Sequence, residues 1–530
     1  MAEPIINPQP VAADSTNLPV LDLQGFVPIA DAIRQHAKAA PLRLALADGQ
    51  RQLNYGELDV MMDQVAAALQ QRGLRIGQAI AICADTSVEY AAVFLGALRA
   101  GIVVAPLAPG SLPASLVGML RDANAQLVFT DASSALLLGS SDVPQVALDG
   151  AFGNWLAKAG VPQPVEVEAN WPFNIIYSSG TTGEPKGIVQ SHGMRGMHVN
   201  RGGAYGYDGS TVTLLSTPLY SNTTLVVFFP TLAFGGTVVL MPKFGADAYL
   251  QKAQEWRATH TMLVPVQYQR IMSLPNFSTF DLSSFKVKFC TSAPFAAALK
   301  ADVLARWPGG LVEFYGMTEG GGSFILDAHL HPGKLHTVGR AAMGHDIRLI
   351  DEAGVEVAPG EAGEVVGHSP SMMIGYYRQP DKTREAEWFD AAGKRFIRTG
   401  DIGRLDADGF LTLFDRRKDM IISGGFNIYP SDLESILHGH ASVLEAAVVG
   451  MPSELWGETP VAFVVLRAGQ IVQKADLLAW LNMRVGKTQR ASGLHFVDEL
   501  PRSAIGKVLK RELRDRMVNR MGNTVHTKLA

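Results

Sequence analysis

Cysteine is almost absent from these 530 residues: only Cys83 and Cys290 occur, each inside an apolar run, AIAICAD and VKFCTSA. That excludes a disulfide framework and suits buried thiols in a reducing compartment, so a cytoplasmic location is expected. Charge is scarce too. Charged residues make up 18% of the chain, and 46 Lys and Arg against 50 Asp and Glu leave a net charge of −4. No global basic field exists to neutralise a phosphate backbone, and nucleic acid is excluded as an expected partner. The stretch from Gly209 to Pro242 lacks charge, yet Pro218, Pro230, the polar Ser221-Asn222-Thr223-Thr224 and Gly235-Gly236 interrupt it. It reads as a buried, sheet-forming region, and no membrane span is expected. The first residues carry Glu3, four prolines and Asp14 where a secretory signal needs a basic start and an apolar block, and they read as a loose arm.

What is present fits a large globular protein. At a soft prior of about 150 residues per domain the length predicts two to four structural units. Apolar residues make up 47%, and the 53 glycines exceed the ordinary share. Apolar positions Leu58, Met62, Val65 and Leu69 fall at helical spacing until Gly73, and Ala79 to Cys83 then reads as a buried strand. The pattern recurs with helices over 90–99 and 113–123 and strands over 101–106 and 126–130, which predicts a layered α/β domain containing parallel sheet. After about Val338 short alternating runs at 346–350, 363–367 and 410–414, separated by Gly, Asp and Pro, predict small antiparallel strands. A mixed pattern follows, with helices from Ser431 and Ala475 and strands at 443–449 and 461–466. The charged cluster Asp415-Arg416-Arg417-Lys418-Asp419 marks the boundary, giving domains 1–417 and 418–530.

The first chemistry-bearing segment is Ser178-Ser179-Gly180-Thr181-Thr182-Gly183-Glu184-Pro185-Lys186-Gly187, directly after apolar Phe173-Asn174-Ile175-Ile176. Glycines leave backbone N–H groups free to face an anion, hydroxyls add donors and Lys186 adds charge, so the composition is that of a phosphate cradle. It is not a Walker A loop, whose lysine follows a glycine and precedes Ser or Thr. A flexible Ser/Gly/Thr linker is the bland alternative, but the fixed Pro-Lys-Gly ending beside a buried strand argues against it.

This segment closely resembles the signature loop of the adenylate-forming superfamily, which includes acyl-CoA synthetases, luciferases and nonribosomal adenylation domains. The resemblance continues in order through Tyr315-Gly316-Met317-Thr318-Glu319, Gly375-Tyr376-Tyr377-Arg378, Arg398-Thr399-Gly400-Asp401, Asp415 to Asp419, Ser423-Gly424-Gly425-Phe426-Asn427, Trp456-Gly457-Glu458, and Pro501 to Lys507. Several independent motifs in family order span nearly the whole chain. The resemblance implies an α/β fold: a large N-terminal domain of layered α/β subdomains plus a small β-barrel-like subdomain, and a small mobile α+β C-terminal domain. It implies ATP, Mg²⁺ and coenzyme A as cosubstrates and cofactor, and places Thr182, Lys186, Glu319 and Lys507 in catalysis. Tyr315 is expected on adenine, Ser292-Ala293-Pro294 beside the base, Thr318 near the α-phosphate and Glu319 on Mg²⁺, while Asp401 and Arg416 take the ribose. Lys418 is the implied hinge. Gly424, Gly425 and Trp456 are implied to line the thiol's channel.

Each assignment has its physical side. An aromatic face stacks on a purine, a carboxylate holds a hard cation, and a short Asp accepts both hydroxyls of a diol. A lysine on a flexible stem reaches a carboxylate oxygen and a phosphate together. Lys510, Arg511 and Arg514 follow helical spacing and read as surface charges. His329, His331 and His336 sit in a Pro-Gly loop without a zinc-site spacing and read as loop histidines.

The acid pocket is expected around Tyr220, Ser221, Thr223, Gly320 and Gly321. Where many aryl and acyl-CoA ligases carry a histidine after Pro218-Leu219-Tyr220, this chain has Ser221. Two readings stay open: the hydroxyl cluster hydrogen-bonds a substituted, medium-sized or aromatic acid, or Ser221 to Thr224 cap a helix start. The leading function is an ATP-dependent carboxylic acid:CoA ligase. The alternatives are a stand-alone adenylating enzyme that loads a carrier protein or other nucleophile, expected in trans since no carrier domain with its Ser-modification segment follows residue 530, and a catalytically silent nucleotide-binding protein. The presence of Lys186, Glu319, Asp401, Arg416 and Lys507 speaks against the last. A homodimer stays open.

Overall fold

The computed structural model describes residues 25–139, 141–156, 160–178, 186–416, 419–423, 426–453, 456–486, 489–503 and 507–517. They form two compact units, Met1–Leu335 with Ser369–Glu385, and His336–His368 with Ala386–Ala530.

The first unit contains two sheets. One runs in the order Gly375–Tyr376, Lys186–Ser191, Pro172–Ser178, Val103–Leu107, Ala79–Cys83, Ala125–Thr130, Gln145–Ala147. Its strands from Pro172–Ser178 to Gln145–Ala147 are parallel, and every residue of Ala79–Cys83 is buried, as a strand covered on both faces requires. The other sheet has a parallel core in the order Leu44–Ala47, Thr237–Leu240, Val212–Leu215, His260–Leu263, Val287–Cys290, Gly310–Tyr315. A single apolar core joins the two sheets through helices Tyr55–Gln71, Val88–Arg99 and Asn222–Ala233.

Local chemistry sets these elements. Asn54 and Glu57 close a capping box at the start of Tyr55–Gln71, with Glu57 N–H donating to Asn54 Oδ1 at 2.8 Å and Asn54 N–H to Glu57 Oε2 at 2.9 Å. Gly96 lies where a Cβ would come within 2.5 Å of Val65 Cβ, so the helices Tyr55–Gln71 and Val88–Arg99 meet closely only because it has no side chain. The uncharged stretch 209–242 is not all sheet. It folds as strand Val212–Leu215, helix Asn222–Ala233 and strand Thr237–Leu240, with Pro230 inside the helix. Ten of the helix's residues are buried, so it has no polar face from which a helical period could be read. Among the described residues no helix is long and apolar enough to cross a membrane.

The second unit is built on antiparallel pairing. One sheet runs Asp346–Ile350, Ala362–His368, Arg395–Leu405, Glu387–Phe389, with Leu411–Arg416 also pairing Arg395–Leu405. The other runs Phe426–Ile428, Ile421–Ser423, Gly457–Leu466, Val443–Ser453, with Gly493–Phe496 parallel to Gly457–Leu466. Strand Val443–Ser453 alternates between two cores: Ala446 and Val448 pack with Leu433, Leu437 and Leu477, and Ala447, Val449 and Met451 with Phe463 and Leu513.

Candidate active site

In the first unit the motif residues gather where parallel strands end. Strand Val212–Leu215 leads to Tyr220–Thr223, Val287–Cys290 to Ser292–Pro294, and Gly310–Tyr315 to Gly316–Glu319. The carboxyl edge of a parallel sheet is the usual place for a ligand. The hydroxyl-rich segment leaves the other sheet in the same way. Ser178 and Lys186 face each other on antiparallel strands, which holds the two ends of that segment side by side. Ser179, Gly180, Thr181, Thr182 and Gly183 lie outside the described residues, as does the side chain of Ser178.

Lys186 and Glu319 are linked through a residue that sequence reasoning gave no role. The Lys186 ammonium lies 5.4 Å from the centre of the Tyr376 ring, and Tyr376 Oη donates to Glu319 Oε1 at 2.8 Å. Burial and the neighbouring Glu319 carboxylate push the Tyr376 phenol far above its ordinary range, so it stays a donor. The backbone around Glu319 is pinned. Gln190 Nε2 donates to the Thr318 carbonyl at 2.7 Å, and Met373 N–H to the Glu319 carbonyl at 2.8 Å. Gly320 has φ of +90°, and a Cβ there would meet the Ser371 carbonyl at 1.9 Å, so no other residue fits. Gly321 is buried beside it, and the half-buried Tyr315 ring lies 5.9 Å from that of Phe324.

The two readings of the hydroxyl cluster divide by residue. Ser221 caps helix Asn222–Ala233, accepting from Thr223 N–H at 3.3 Å, and Thr224 Oγ1 donates to the Pro218 carbonyl at 2.6 Å. Thr223 differs: its Oγ1 and the Ser292 Oγ are 2.5 Å apart. Ser292 itself has φ of +81°, a left-handed conformation costly for a residue with a Cβ. Ala293 is half-buried and Pro294 exposed. Tyr220 is half-buried, its phenol pushed up by burial and by Asp85 and Cys83.

In the second unit Asp401 and Arg416 are opposite each other on antiparallel strands. Asp401 N–H donates to Thr399 Oγ1 at 3.0 Å, and Thr399 Oγ1 donates to the Val365 carbonyl at 2.8 Å, which fixes the register shift around Gly400, a left-handed position at φ +71° inside strand Arg395–Leu405. Arg398 pairs with buried Glu364 at 3.1 and 2.5 Å. Ser503 N–H donates to the Lys507 carbonyl at 2.8 Å, and Lys507 N–H donates to Ser503 Oγ at 3.2 Å. Lys510 and Arg514 are not solvated charges: they pair with Glu434 at 2.9 Å and Asp419 at 3.1 Å. The Trp456 side chain is exposed, whereas Lys418, Gly424, Gly425 and the Arg416 side chain lie outside the described residues. Among the described residues no group of three or more His, Cys, Asp or Glu could hold a metal, and His329 Nδ1 instead contacts the Leu311 carbonyl at 3.2 Å.

The model for AMP-binding enzymes matches residues 33–377, and the model for the AMP-binding enzyme C-terminal domain matches 432–507. The chain belongs to the AMP-binding enzyme family. Within this adenylate-forming superfamily it falls in the acid:CoA ligase branch. It is 33% identical over 496 residues to a feruloyl-CoA synthase of an Amycolatopsis species, covering 91% of this chain and 97% of that one. It is 30% identical over 503 residues to the long-chain-fatty-acid–CoA ligase FadD13 of Mycobacterium tuberculosis, covering 91% and 97%. The structure superposes on ATP-bound MatB from Rhodopseudomonas palustris with a TM-score of 0.84 and 29% identity, covering 92% of this chain and 98% of that one. Tyr376 and Gln190 are the members of this candidate site to which sequence gave no role. Tyr376 lay in a motif already quoted, but its partner Glu319 is 57 residues away, beyond the end of a strand of the other sheet, and only the tertiary fold brings them together.

Proposed function

We propose that this AMP-forming acid:CoA ligase acts on a medium-sized or aromatic carboxylic acid and hands the acyl group to coenzyme A. A carboxylate is a poor acyl donor because oxide would have to leave. Attack of its oxygen on the ATP α-phosphorus forms an O–P bond and breaks the bond to the β-phosphate oxygen. The resulting mixed anhydride has AMP as a good leaving group, which a thiolate then displaces at the acyl carbon. Lys186 and the hydroxyls from Ser178 to Thr182 take the triphosphate. Asp401 accepts from both ribose hydroxyls with Arg416 beside it, and Tyr315 with Ser292, Ala293 and Pro294 holds the base. Lys507 offsets charge building at the α-phosphate.

One observation carries this reading: Tyr376 bridges the Lys186 cation and the Glu319 carboxylate beside the ends of the phosphate-cradle segment. A single carboxylate with one oxygen already held by a phenol suits Mg²⁺, which keeps waters and phosphate oxygens as its other ligands. Bound there, the cation would neutralise charge on the departing pyrophosphate. Lys418 is the hinge on which domain 418–530 turns relative to 1–417, and Gly424, Gly425 and Trp456 border the thiol's path. The Thr223–Ser292 hydroxyl pair, with Tyr220, Gly320 and Gly321, favours a substituted acid over a plain long chain.

The test is pyrophosphate release across a panel of aromatic, medium-chain and long-chain acids, with AMP release compared in the presence and absence of coenzyme A. Highest kcat/KM on aromatic or medium acids with CoA-dependent AMP release is expected. Highest kcat/KM on long saturated acids would overturn the substrate assignment, and AMP release indifferent to CoA would overturn the acceptor.

A further inference from the structure

Arg195, in the first turn of helix His192–Arg201, is 2% exposed, yet among the described residues no carboxylate pairs with it. Its Nε donates to Asn174 Oδ1 at 3.1 Å, while Nη1, Nη2 and the Asn174 Nδ2 have no hydrogen-bond partner among the described residues. Its guanidinium carbon lies 5.8 Å from the Phe173 ring centre and 5.9 Å from that of Phe229, so aromatic faces wall the charge without neutralising it. Burial lowers its pKa to about 9, which leaves it cationic at neutral pH. His192, whose ring packs on the same Phe173, is held down to about 4 by burial and is neutral there. An unpaired guanidinium in an apolar core is among the costliest groups a fold can bury, and arginine does not escape by losing its proton.

A cavity of about 10 Å³ lies against this group, lined by Phe173, His192, Arg195, Val199 and Phe229. Space of that size takes roughly one water-sized particle. Arg195, whose Nη1 and Nη2 lack partners, lines it directly, and the unpartnered Asn174 amide nitrogen belongs to the side chain that holds its Nε. We propose that this cavity is a binding site for one small monatomic anion, a halide, which serves as the buried counter-ion of Arg195. Its occupancy bears on the active site through a short path. Asn174 and Gln190 face each other across the sheet, and Gln190 holds the Thr318 carbonyl at 2.7 Å. The anion thus stiffens the strand pair that flanks the phosphate-cradle segment from behind.

The experiment uses the full chain exchanged into gluconate and titrated with chloride or bromide at constant ionic strength, with Tm as the readout. Crystals grown in bromide supply an anomalous difference map. The expected result is a saturable rise in Tm with either halide, absent in Arg195→Met and weaker in Arg195→Lys, with an anomalous peak in contact with the Arg195 guanidinium. An equal halide response in the wild type and Arg195→Met would overturn the proposal. So would a bromide map empty at Arg195, a result that needs no variant to fold. Both readouts are independent of which acid the enzyme activates.

Discussion

Replacing Tyr376 by Phe removes one oxygen and leaves the ring under Lys186 in place. The structure makes the cost definable. The phenol donates to the Glu319 carboxylate at 2.8 Å, a hydrogen bond to a charged acceptor worth about 1.5–3 kcal/mol. Both side chains are half-buried, so water recovers part of it, and the lower end, about 1.5 kcal/mol, is the better expectation. At 1.36 kcal/mol per factor of ten, adenylation should slow by about 10-fold. The loss should carry a signature that a packing defect lacks: freed from the phenol, Glu319 is less well oriented, and the Mg²⁺ concentration giving half-maximal rate should rise several-fold. ATP–pyrophosphate exchange at varied Mg²⁺ measures both quantities. Transfer to coenzyme A from preformed acyl-adenylate should be unchanged. A Tyr376→Phe enzyme with wild-type Mg²⁺ dependence and exchange rate would refute the role of the Lys186–Tyr376–Glu319 line.

Lys507→Ala should depress adenylate formation far more than thiol transfer from preformed acyl-AMP, and equal losses in both half-reactions would contradict its assignment. Thr223→Val removes the hydroxyl 2.5 Å from Ser292 and should lower kcat/KM for the preferred acid about fivefold, from about 1 kcal/mol of hydrogen bonding, with KM for ATP little changed. Stability should fall with acid. Burial holds His192 and His260 down to about 4, against 6.5 for a free histidine, so the unfolded chain binds more protons between those values. The folded state therefore weakens as pH drops from about 6.5 toward 4, by at most about 1.4 kcal/mol per pH unit for each histidine. Glu313, whose carboxyl burial pushes up, opposes part of this slope. Urea unfolding at pH 7, 6 and 5 checks the sign, and His192→Gln should flatten the slope.

Strand Ala79–Cys83 is legible in sequence because burial on both faces leaves an unbroken apolar run, and helix Tyr55–Gln71 because it has one buried face and a capping pair at Asn54 and Glu57. Helix Asn222–Ala233 is not, because burial on all sides erases the period and Pro230 reads as a breaker. The site divides similarly. Lys186, Glu319 and Lys507 belong to motifs whose residue types announce phosphate and cation chemistry. Tyr376, Gln190 and the left-handed Ser292 act through sheet register and long-range contacts, which no local pattern encodes. Lys510 and Arg514 looked solvated because helical spacing says nothing of Glu434 and Asp419, which lie far away in the chain and pair with them.

Activation at the α-phosphorus sends one carboxylate oxygen to AMP. An acid carrying heavy oxygen in both carboxylate positions, turned over with ATP and coenzyme A, should deliver labelled oxygen to AMP and none to pyrophosphate, with the remaining label in the thioester. Label in orthophosphate with ADP as the nucleotide product, or AMP that stays unlabelled, would contradict activation at the α-phosphorus.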